Sequence, residues 1–148
     1  MPVRLEVLRL SHASGLPMPG YATAGAAGFD LPAAIDKPMT LEPGDRALVP
    51  TGLCVAVPEG YEGQVRGRSG LALRRGLGLA NGVGTIDCDY RGEIKVILVN
   101  WSREPQTIEP GARIAQFVLA PVARAELIDV PELSGTARGA GGFGHTGI

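Results

Sequence analysis

The chain has 148 residues, including 22 glycines and 12 prolines, and a formal net charge of −1. This length suits one domain that needs no disulfide, and glycine and proline interleaved with Val, Ile and Leu predict many short strands joined by tight turns. The near-neutral charge argues against a general nucleic-acid or membrane-surface binder, which normally carries a basic excess.

The two cysteines, Cys54 and Cys88, have no metal-like spacing, and no apolar signal segment precedes Val3. No stretch approaches the roughly 18 consecutive apolar residues of a membrane span. We therefore expect a cytosolic protein with reduced thiols.

The N-terminal third predicts strands separated by turns. Residues 3–10 alternate between apolar and charged side chains, which indicates a half-buried outer strand. Residues 24–31 are mostly small and lead to Asp30, and a lone acid at such a place is typical of a turn or cap. The small neighbours allow close packing.

A strand, a turn and a second strand are predicted for residues 39–57. Pro50 and Gly52 should make the first half of the second strand an edge or a bulge. Residues 53–57 are apolar on both faces, which favours a central position in a sheet.

The only good helix follows a short strand at residues 61–66. Ser69 is a suitable N-cap, residues 71–75 suit one or two helical turns, and Gly76 suits the C-cap. The helix N-terminus beside Arg68 and the Ser69 hydroxyl would suit phosphate oxygens. A capped surface helix with solvated arginines accounts for the same residues equally well.

Residues 81–92 read Asn-Gly-Val-Gly-Thr-Ile-Asp-Cys-Asp-Tyr-Arg-Gly. Asn81-Gly82 predicts a tight hairpin turn, and the glycines at 82 and 84 let a ligand approach the backbone. Such a turn can present amide and carbonyl groups to a flat heterocycle.

Two acids and an aromatic ring follow that turn. In an extended strand, Asp87 and Asp89 would lie on one face, about 6.5 Å apart, with Tyr90 on the other. The acid can take a proton from water and the ring can pack on a sugar. An ordinary turn rich in glycine and aspartate is the alternative, and this stretch alone favours it.

The remaining strands are predicted at residues 94–101, 113–122 and 123–130, with a turn at 109–112. Arg113 and Gln116 interrupt an apolar run, so each needs a polar partner, which a ligand or another subunit could supply.

The tail from residue 138 resembles a phosphate loop only superficially, because it lacks a preceding strand, a Lys-Ser or Lys-Thr pair and a following helix. Its glycines predict a flexible arm that ligand contacts could order as a lid. A disordered terminus is the alternative, although Phe143 between glycines is unusual for one.

Five segments together resemble, in order and spacing, the five motifs of the trimeric dUTPases over almost the whole chain. The segments are residues 24–31, 67–70, 84–92, 111–116 and 138–144.

The resemblance implies an all-β fold, a compact distorted jelly roll or β-barrel of the β-clip type, with one short helix and a flexible C-terminal arm. Residues 1–148 would form one domain, with a β core at 1–130 and the arm at 131–148. It further implies a homotrimer with three shared active sites that hydrolyses dUTP to dUMP and pyrophosphate. That reaction supplies dUMP for thymidylate synthesis and keeps uracil out of DNA.

The resemblance also implies roles for individual residues. Asp87 would orient and deprotonate the water that attacks the α-phosphorus, and an aspartate is normally ionised at neutral pH. Tyr90 would lie against the deoxyribose and exclude a 2'-hydroxyl, and the close-fitting hairpin would exclude the methyl group of thymine. The residues implied for uracil recognition are Asn81, Gly84, Thr85, Ile86 and Lys95.

The triphosphate would be bridged by Mg²⁺, with Asp30 acting through a water or by orienting an arginine, because magnesium keeps most of its waters. The residues implied to hold phosphate oxygens are Arg68, Ser69, Gly70 and Gln116. The arm of a neighbouring subunit would place Phe143 over the uracil. The arm residues implied near the phosphates are Arg138, Gly144, His145 and Thr146, where His145 stands at a place at which many relatives carry serine.

Two other functions are compatible with such a fold. A dCTP deaminase would share the fold and the trimer, but such enzymes lack the Phe143 arm and the Asp-Cys-Asp-Tyr order that begins at Asp87. A non-catalytic nucleotide-binding trimer would not need the intact Asp87.

Overall fold

The computed structural model describes residues 2–145. Within them the chain forms ten strands, one α-helix, α1 (Ser69–Arg75), and a 3-10 helix (Ser11–Ala13). The strands are β1 (Glu6–Arg9), β2 (Phe29–Pro32), β3 (Met39–Leu41), β4 (Arg46–Ala56), β5 (Tyr61–Arg66), β6 (Leu77–Leu79), β7 (Gly84–Ile86), β8 (Glu93–Asn100), β9 (Gln106–Ile108) and β10 (Arg113–Pro121).

The strands form two four-stranded sheets and a two-stranded ribbon, and all their pairings are antiparallel. The first sheet has the order β1-β4-β8-β6, the second β2-β10-β5-β7, and the ribbon pairs β3 with β9. The strand order of each sheet is open in the described part of the chain, so the fold is jelly-roll-like and all-β without a closed barrel.

Both sheets contribute to one hydrophobic core. Phe117 of β10 stacks on Phe29 of β2 with ring centroids 5.1 Å apart, and a Cβ at Gly63 would stand 2.3 Å from the Phe117 ring. Burial of each large apolar side chain stabilises the fold by about 1.5–3 kcal/mol. The largest fully buried apolar side chains are Phe117, Leu31, Leu53, Leu77, Ile94, Leu98 and Ile108.

The bulge predicted in β4 is confirmed. Its pairing with β8 shifts register between Pro50 and Cys54, and Gly52 takes a positive φ of 69° there. A Cβ at Gly52 would stand 2.1 Å from the Cβ of Ala13. The bulge therefore lets the 3-10 helix pack closely against β4.

The predicted helix is present, but Ser69 is not its N-cap. Arg68 occupies that position with extended backbone angles, and no side chain caps the helix. The Arg68 carbonyl accepts hydrogen bonds from the amides of Leu71 and Ala72, so the N-cap lies one residue earlier than predicted. Gly76 ends it in the left-handed conformation with φ 63°, as predicted.

Several of the predicted strands are present. The outer strand predicted at residues 3–10 is confirmed over Glu6–Arg9 as β1, at the edge of its sheet, and Tyr61–Arg66 is confirmed as β5. The sequence did not predict β2 or β9, because these strands have only four and three residues and contain proline or polar side chains.

The predicted strand at residues 123–130 is wrong. The last described strand ends at Pro121, and residues 122–130 are exposed, with Leu127 at 93%. An apolar segment forms a strand only where it pairs with a sheet edge, and within the described residues this segment pairs with none. Within residues 2–145, no helix is both long enough and apolar enough to cross a membrane.

Candidate active site

The Asn81-Gly82 turn does not join a hairpin, contrary to the sequence prediction. It connects β6, which pairs with β8, to β7, which pairs with β5 in the other sheet. Gly82 takes a positive φ of 72°. The turn therefore carries the chain from one sheet to the other, and β7 begins immediately after it.

The two acids after β7 do not lie on one face of an extended strand. β7 ends at Ile86, and the chain turns through Cys88 and Asp89 so that the Tyr90 amide donates to the Asp87 carbonyl at 3.1 Å. The side chain of Asp87 is exposed, and none of the ion pairs within residues 2–145 includes it. Asp87 is thus the first residue of this turn, and its carboxylate is exposed to solvent.

Asp87 borders two clefts. The larger cleft, of about 880 Å³, also contains Asp89, Cys88 and Arg91. The smaller cleft, of about 490 Å³, brings together most of the residues implied for uracil and sugar. It is lined by Leu48, Thr85, Ile86, Asp87, Tyr90, Glu93, Lys95 and Ile97.

Local hydrogen bonds fix the turn that carries Asp87. The Arg91 guanidinium donates to the carbonyl oxygens of Cys88 and Tyr90 at 2.7 and 2.8 Å. The Tyr90 hydroxyl donates to the Glu93 carbonyl at 3.0 Å. A Cβ at Gly92 would stand 2.4 Å from that hydroxyl, so the glycine makes room for the tyrosine.

Glu93 is a residue of this cleft that the sequence did not indicate. Its Oε1 accepts hydrogen bonds from the Gly52 amide at 2.8 Å and from His12 Nε2 at 2.7 Å. Burial raises the pKa of the Cys54 thiol, and the nearby Glu93 carboxylate raises it further. The clue in the sequence was an acid at the first position of a strongly apolar strand, where a buried charge needs partners.

Asn81 and Lys95, two of the residues implied for uracil, are exposed. Asn81 lies in the turn before β7, and a Cβ at Gly84 would stand 3.4 Å from its Nδ2. Lys95 lies on β8 with its Nζ 3.9 Å from Glu93 Oε2.

Asp30 forms ion pairs with two arginines. Its Oδ1 accepts from Arg68 Nε at 2.9 Å, and its Oδ2 accepts from an Arg113 guanidinium nitrogen at 3.1 Å. Arg68 also donates to the Arg113 carbonyl at 3.1 Å. This ion cluster supplies Arg113 with the partner that its place in an apolar strand requires.

Gln116 lies next to this cluster, opposite Asp30 in the β10–β2 register. Its Nε2 donates to the Gly67 carbonyl at 3.0 Å, which fixes the backbone just before Arg68. Ser69 is exposed in the first turn of α1, and Gly70 follows it. We call this region, formed by Asp30, residues 67–70, Arg113 and Gln116, the phosphate cluster, after the role that the resemblance implies for most of these residues.

A single chain does not bring the phosphate cluster and Asp87 around one cleft. None of the residues that line the two described clefts belongs to that cluster. Ile86 pairs with Gly63, and Gln116 pairs with Arg66 on the opposite side of β5. Three residues along β5 and two strand spacings across it separate Ile86 from Gln116 by about 14 Å.

The described part of the arm makes its hydrogen bonds locally. Arg138 Nε donates to the Gly141 carbonyl at 2.8 Å, and the His145 amide donates to the Gly142 carbonyl at 3.1 Å. Phe143 is fully exposed, and Gly144 beside it takes a positive φ of 85°. The structure does not bring these residues to either cleft, and Thr146 lies outside the described residues.

Residues 2–145 contain no group of three or more His, Cys, Asp or Glu side chains that could hold a metal ion by themselves. Asp30 already has both carboxylate oxygens bonded to arginines. A hydrated Mg²⁺ would fit this chemistry if water and a bound ligand supplied its oxygens, since magnesium usually keeps several waters and binds one or two carboxylates.

The chain matches a known family over most of its length. The family model described as dUTPase matches residues 15–147. A deoxyuridine 5'-triphosphate nucleotidohydrolase of Rhizobium etli (strain CFN 42) is 54% identical over 149 residues, which cover 99% of this chain and 96% of the relative. The enzyme of that name from Methylocella silvestris is 55% identical over 148 residues, covering 99% and 92%.

Solved structures of dUTPases also resemble this chain in fold. The Staphylococcus bacteriophage 80alpha dUTPase with dUPNHPP has a TM-score of 0.84 at 29% identity and covers 98% of this chain and 99% of its own. A mutant dUTPase from phage phi11 of S. aureus, described for its coordination of a structural Mg(II) ion, has a TM-score of 0.78 at 27% identity, covering 88% and 98%.

Proposed function

The chain belongs to the dUTPase family and is a dUTP diphosphatase, and on that basis we propose how its residues carry out the reaction. The Asp87 carboxylate accepts a proton from a water molecule as the water oxygen attacks the α-phosphorus of dUTP. The bond from that phosphorus to the α,β-bridging oxygen breaks, so the products are dUMP and pyrophosphate.

The observation that carries this assignment is the position of Asp87. It is exposed at the end of β7 on the border of both clefts, and no ion pair within residues 2–145 occupies its carboxylate. A general base must reach the proton that it removes, and positioned groups of this kind contribute about 10²–10⁴-fold to a rate. Asp89 lines only the larger of the two clefts and has no catalytic role in this proposal.

The smaller cleft holds the nucleoside. Backbone groups around Thr85, Ile86 and Lys95, with the Asn81 side chain, hydrogen bond the uracil, and Gly84 allows its close approach. Tyr90 packs on the deoxyribose and leaves no room for a 2'-hydroxyl. The supporting geometry is the Tyr90–Glu93 hydrogen bond, which fixes the tyrosine hydroxyl at the rim of the cleft.

The phosphate cluster binds the triphosphate. Arg68, Ser69, Gly70 and Gln116 donate to its oxygens, and Asp30 keeps Arg68 in place for this contact. A guanidinium bonded on one side to a carboxylate still has donors available for phosphate. A bound Mg²⁺ would neutralise phosphate charge, with Asp30 touching it at most through water.

The complete site is shared in a homotrimer. Support comes from the separation of Asp87 from the phosphate cluster within one chain, since a symmetric ring of three chains can bring the two together across each interface. The arm of a further subunit closes the site, with Phe143 over the uracil. The remaining arm contacts to the phosphates come from Arg138, Gly144, His145 and Thr146.

The cellular role that follows is supply of dUMP for thymidylate synthesis and removal of dUTP before uracil enters DNA. We place the enzyme in the cytoplasm, which agrees with Cys54 and Cys88 both being free thiols.

Hydrolysis in ¹⁸O-labelled water tests the proposed reaction. The isotope should appear in the phosphate of dUMP and not in pyrophosphate, because the water attacks the α-phosphorus. Label in pyrophosphate would contradict the mechanism. With dCTP as substrate in parallel, release of ammonia would instead support the deaminase alternative.

A further inference from the structure

Glu93 connects three parts of the fold at the floor of the smaller cleft. Its side chain is 13% exposed, and its Oε1 accepts from both the Gly52 amide, at the bulge of β4, and His12 in the 3-10 helix. Its Oε2 faces Lys95 Nζ at 3.9 Å. A carboxylate with this many partners cannot shift without breaking hydrogen bonds to buried backbone.

The main chain of the same residue holds Tyr90. The Glu93 carbonyl accepts the Tyr90 hydroxyl at 3.0 Å, while Gly92 has no Cβ that would collide with it. The Glu93 side chain bonds Gly52, and the Glu93 carbonyl bonds Tyr90. Because both groups belong to the first residue of β8, the bond to Gly52 fixes the carbonyl and, through it, the position of the Tyr90 ring in the cleft.

The bulge itself is rigid. Gly52 is buried, takes a positive φ of 69°, and has the Cβ of Ala13 against it. The bulge therefore offers Glu93 a fixed amide donor, and any movement of Tyr90 away from the cleft loses its hydrogen bond to Glu93.

We propose that Glu93 is a positioning residue that sets the discrimination between deoxyribose and ribose, by anchoring the Tyr90 hydroxyl to the β4 bulge. The inference rests on the proposed function, in which Tyr90 packs on the sugar. Glu93 itself does not touch the reacting atoms. The hydrogen bonds carry the effect, and the charge of Glu93 does not.

Two substitutions separate hydrogen bonding from charge. Glu93→Gln keeps an oxygen that accepts from Gly52 and loses the charge, whereas Glu93→Ala loses both. Tyr90→Phe removes the hydroxyl and leaves the Glu93 side chain untouched. Glu6→Ala is the matched control, since Glu6 is an exposed acid on the same sheet with its own cationic partner, Arg4, at 3.0 Å.

The measurement is the ratio of kcat/KM for dUTP to kcat/KM for UTP, with Tm recorded for each variant. Loss of the side-chain hydrogen bonds that fix Glu93 should lower this ratio about fivefold in Glu93→Ala, and loss of the hydroxyl bond to the Glu93 carbonyl should lower it to the same extent in Tyr90→Phe. The double variant should lose no more than either single one, because the Glu93 side chain acts on the sugar only by way of the Tyr90 hydroxyl bond. Glu93→Gln and Glu6→Ala should stay within about twofold of the wild type.

An unchanged ratio in Tyr90→Phe overturns the inference, and this result remains decisive if Glu93→Ala does not fold. A lowered Tm in Glu93→Ala with an unchanged ratio overturns it as well, because Glu93 would then act on stability alone. A ratio in Glu93→Gln as low as in Glu93→Ala would also contradict it. Absence of dUTP hydrolysis by the wild type would instead remove the proposed function, which distinguishes the two failures.

Discussion

Two carboxylates of this chain, Asp87 and Asp30, differ in their exposure and their ion pairs, although both lie in segments that resemble dUTPase motifs. Asp87 is exposed on the border of two clefts and joins none of the ion pairs within residues 2–145. Asp30 is 28% exposed and has an arginine on each oxygen. One acid is therefore available to a water molecule, while the other holds cations in place.

The supports of the two acids differ as well. Asp87 stands on a turn held by bonds within residues 87–93. The cluster around Asp30 joins β2, β10 and the segment after β5, so it depends on long-range register. Changes at Asp87 should therefore alter chemistry, and changes at Asp30 should alter binding and stability.

The largest effect should come from Asp87→Asn. Removal of a general base should lower kcat by about 10²–10⁴-fold with little change in Kd for dUTP or in Tm. Steady-state kinetics and calorimetric titration with a non-hydrolysable analogue check this. Asp89→Asn is the control and should keep kcat within about threefold. Undiminished turnover in Asp87→Asn would remove that residue from the mechanism.

Deletion of residues 138–148 comes next. The last described strand ends at Pro121, so the truncated chain should keep its Tm, whereas loss of the arm should lower kcat/KM at least about tenfold. Thermal unfolding and kinetics together test this. Full activity without the arm would show that closure over the substrate is unnecessary.

Asp30→Asn should have a smaller effect on activity, and this effect should be on KM and stability more than on kcat. Both arginines lose a charged partner, so KM should rise about tenfold while kcat changes less, and the free energy of unfolding should fall by about 1 kcal/mol. Urea unfolding measures the second quantity. If kcat fell as far as in Asp87→Asn while KM stayed constant, the contrast between the two acids would be wrong.

The smallest effect concerns Cys54, where burial and then the Glu93 carboxylate raise the pKa of the thiol. At pH 9, near the ordinary value of 9.0 for the thiol, a smaller fraction is therefore the reactive thiolate. Glu93→Gln removes the negative charge, lowers the pKa of Cys54 and should speed its alkylation about twofold. Mass spectrometry of the modified peptide reports the rate, and a slower reaction would contradict the assigned cause.

The sequence predicted the fold class and several of the strands, such as β5 and β10. It also predicted the bulge at Gly52, because proline and glycine inside a strand interrupt regular pairing. It failed where long-range pairing decides: the Asn81-Gly82 turn joins different sheets, and residues 123–130 have no partner in the described chain. Local propensity carries no information about which sheet edge a segment meets.

The candidate site shows the same division. Motif residues such as Asp87, Tyr90 and Arg68 could be named from the resemblance. The contacts of Glu93, in contrast, depend on the pairing of β8 with the bulge of β4, which the sequence does not show. The link from Asp30 to Arg113 likewise depends on the β2–β10 register.

The most direct test of this division of the site is complementation between two inactive variants. Asp87→Asn and Arg68→Ala chains, co-expressed with different tags and purified as mixed trimers, should regain about a third of wild-type activity, because one of the three shared sites then takes its acid from one chain and its arginine from another. Mixed oligomers no more active than either variant alone would show that both groups act within one chain, and would contradict the account.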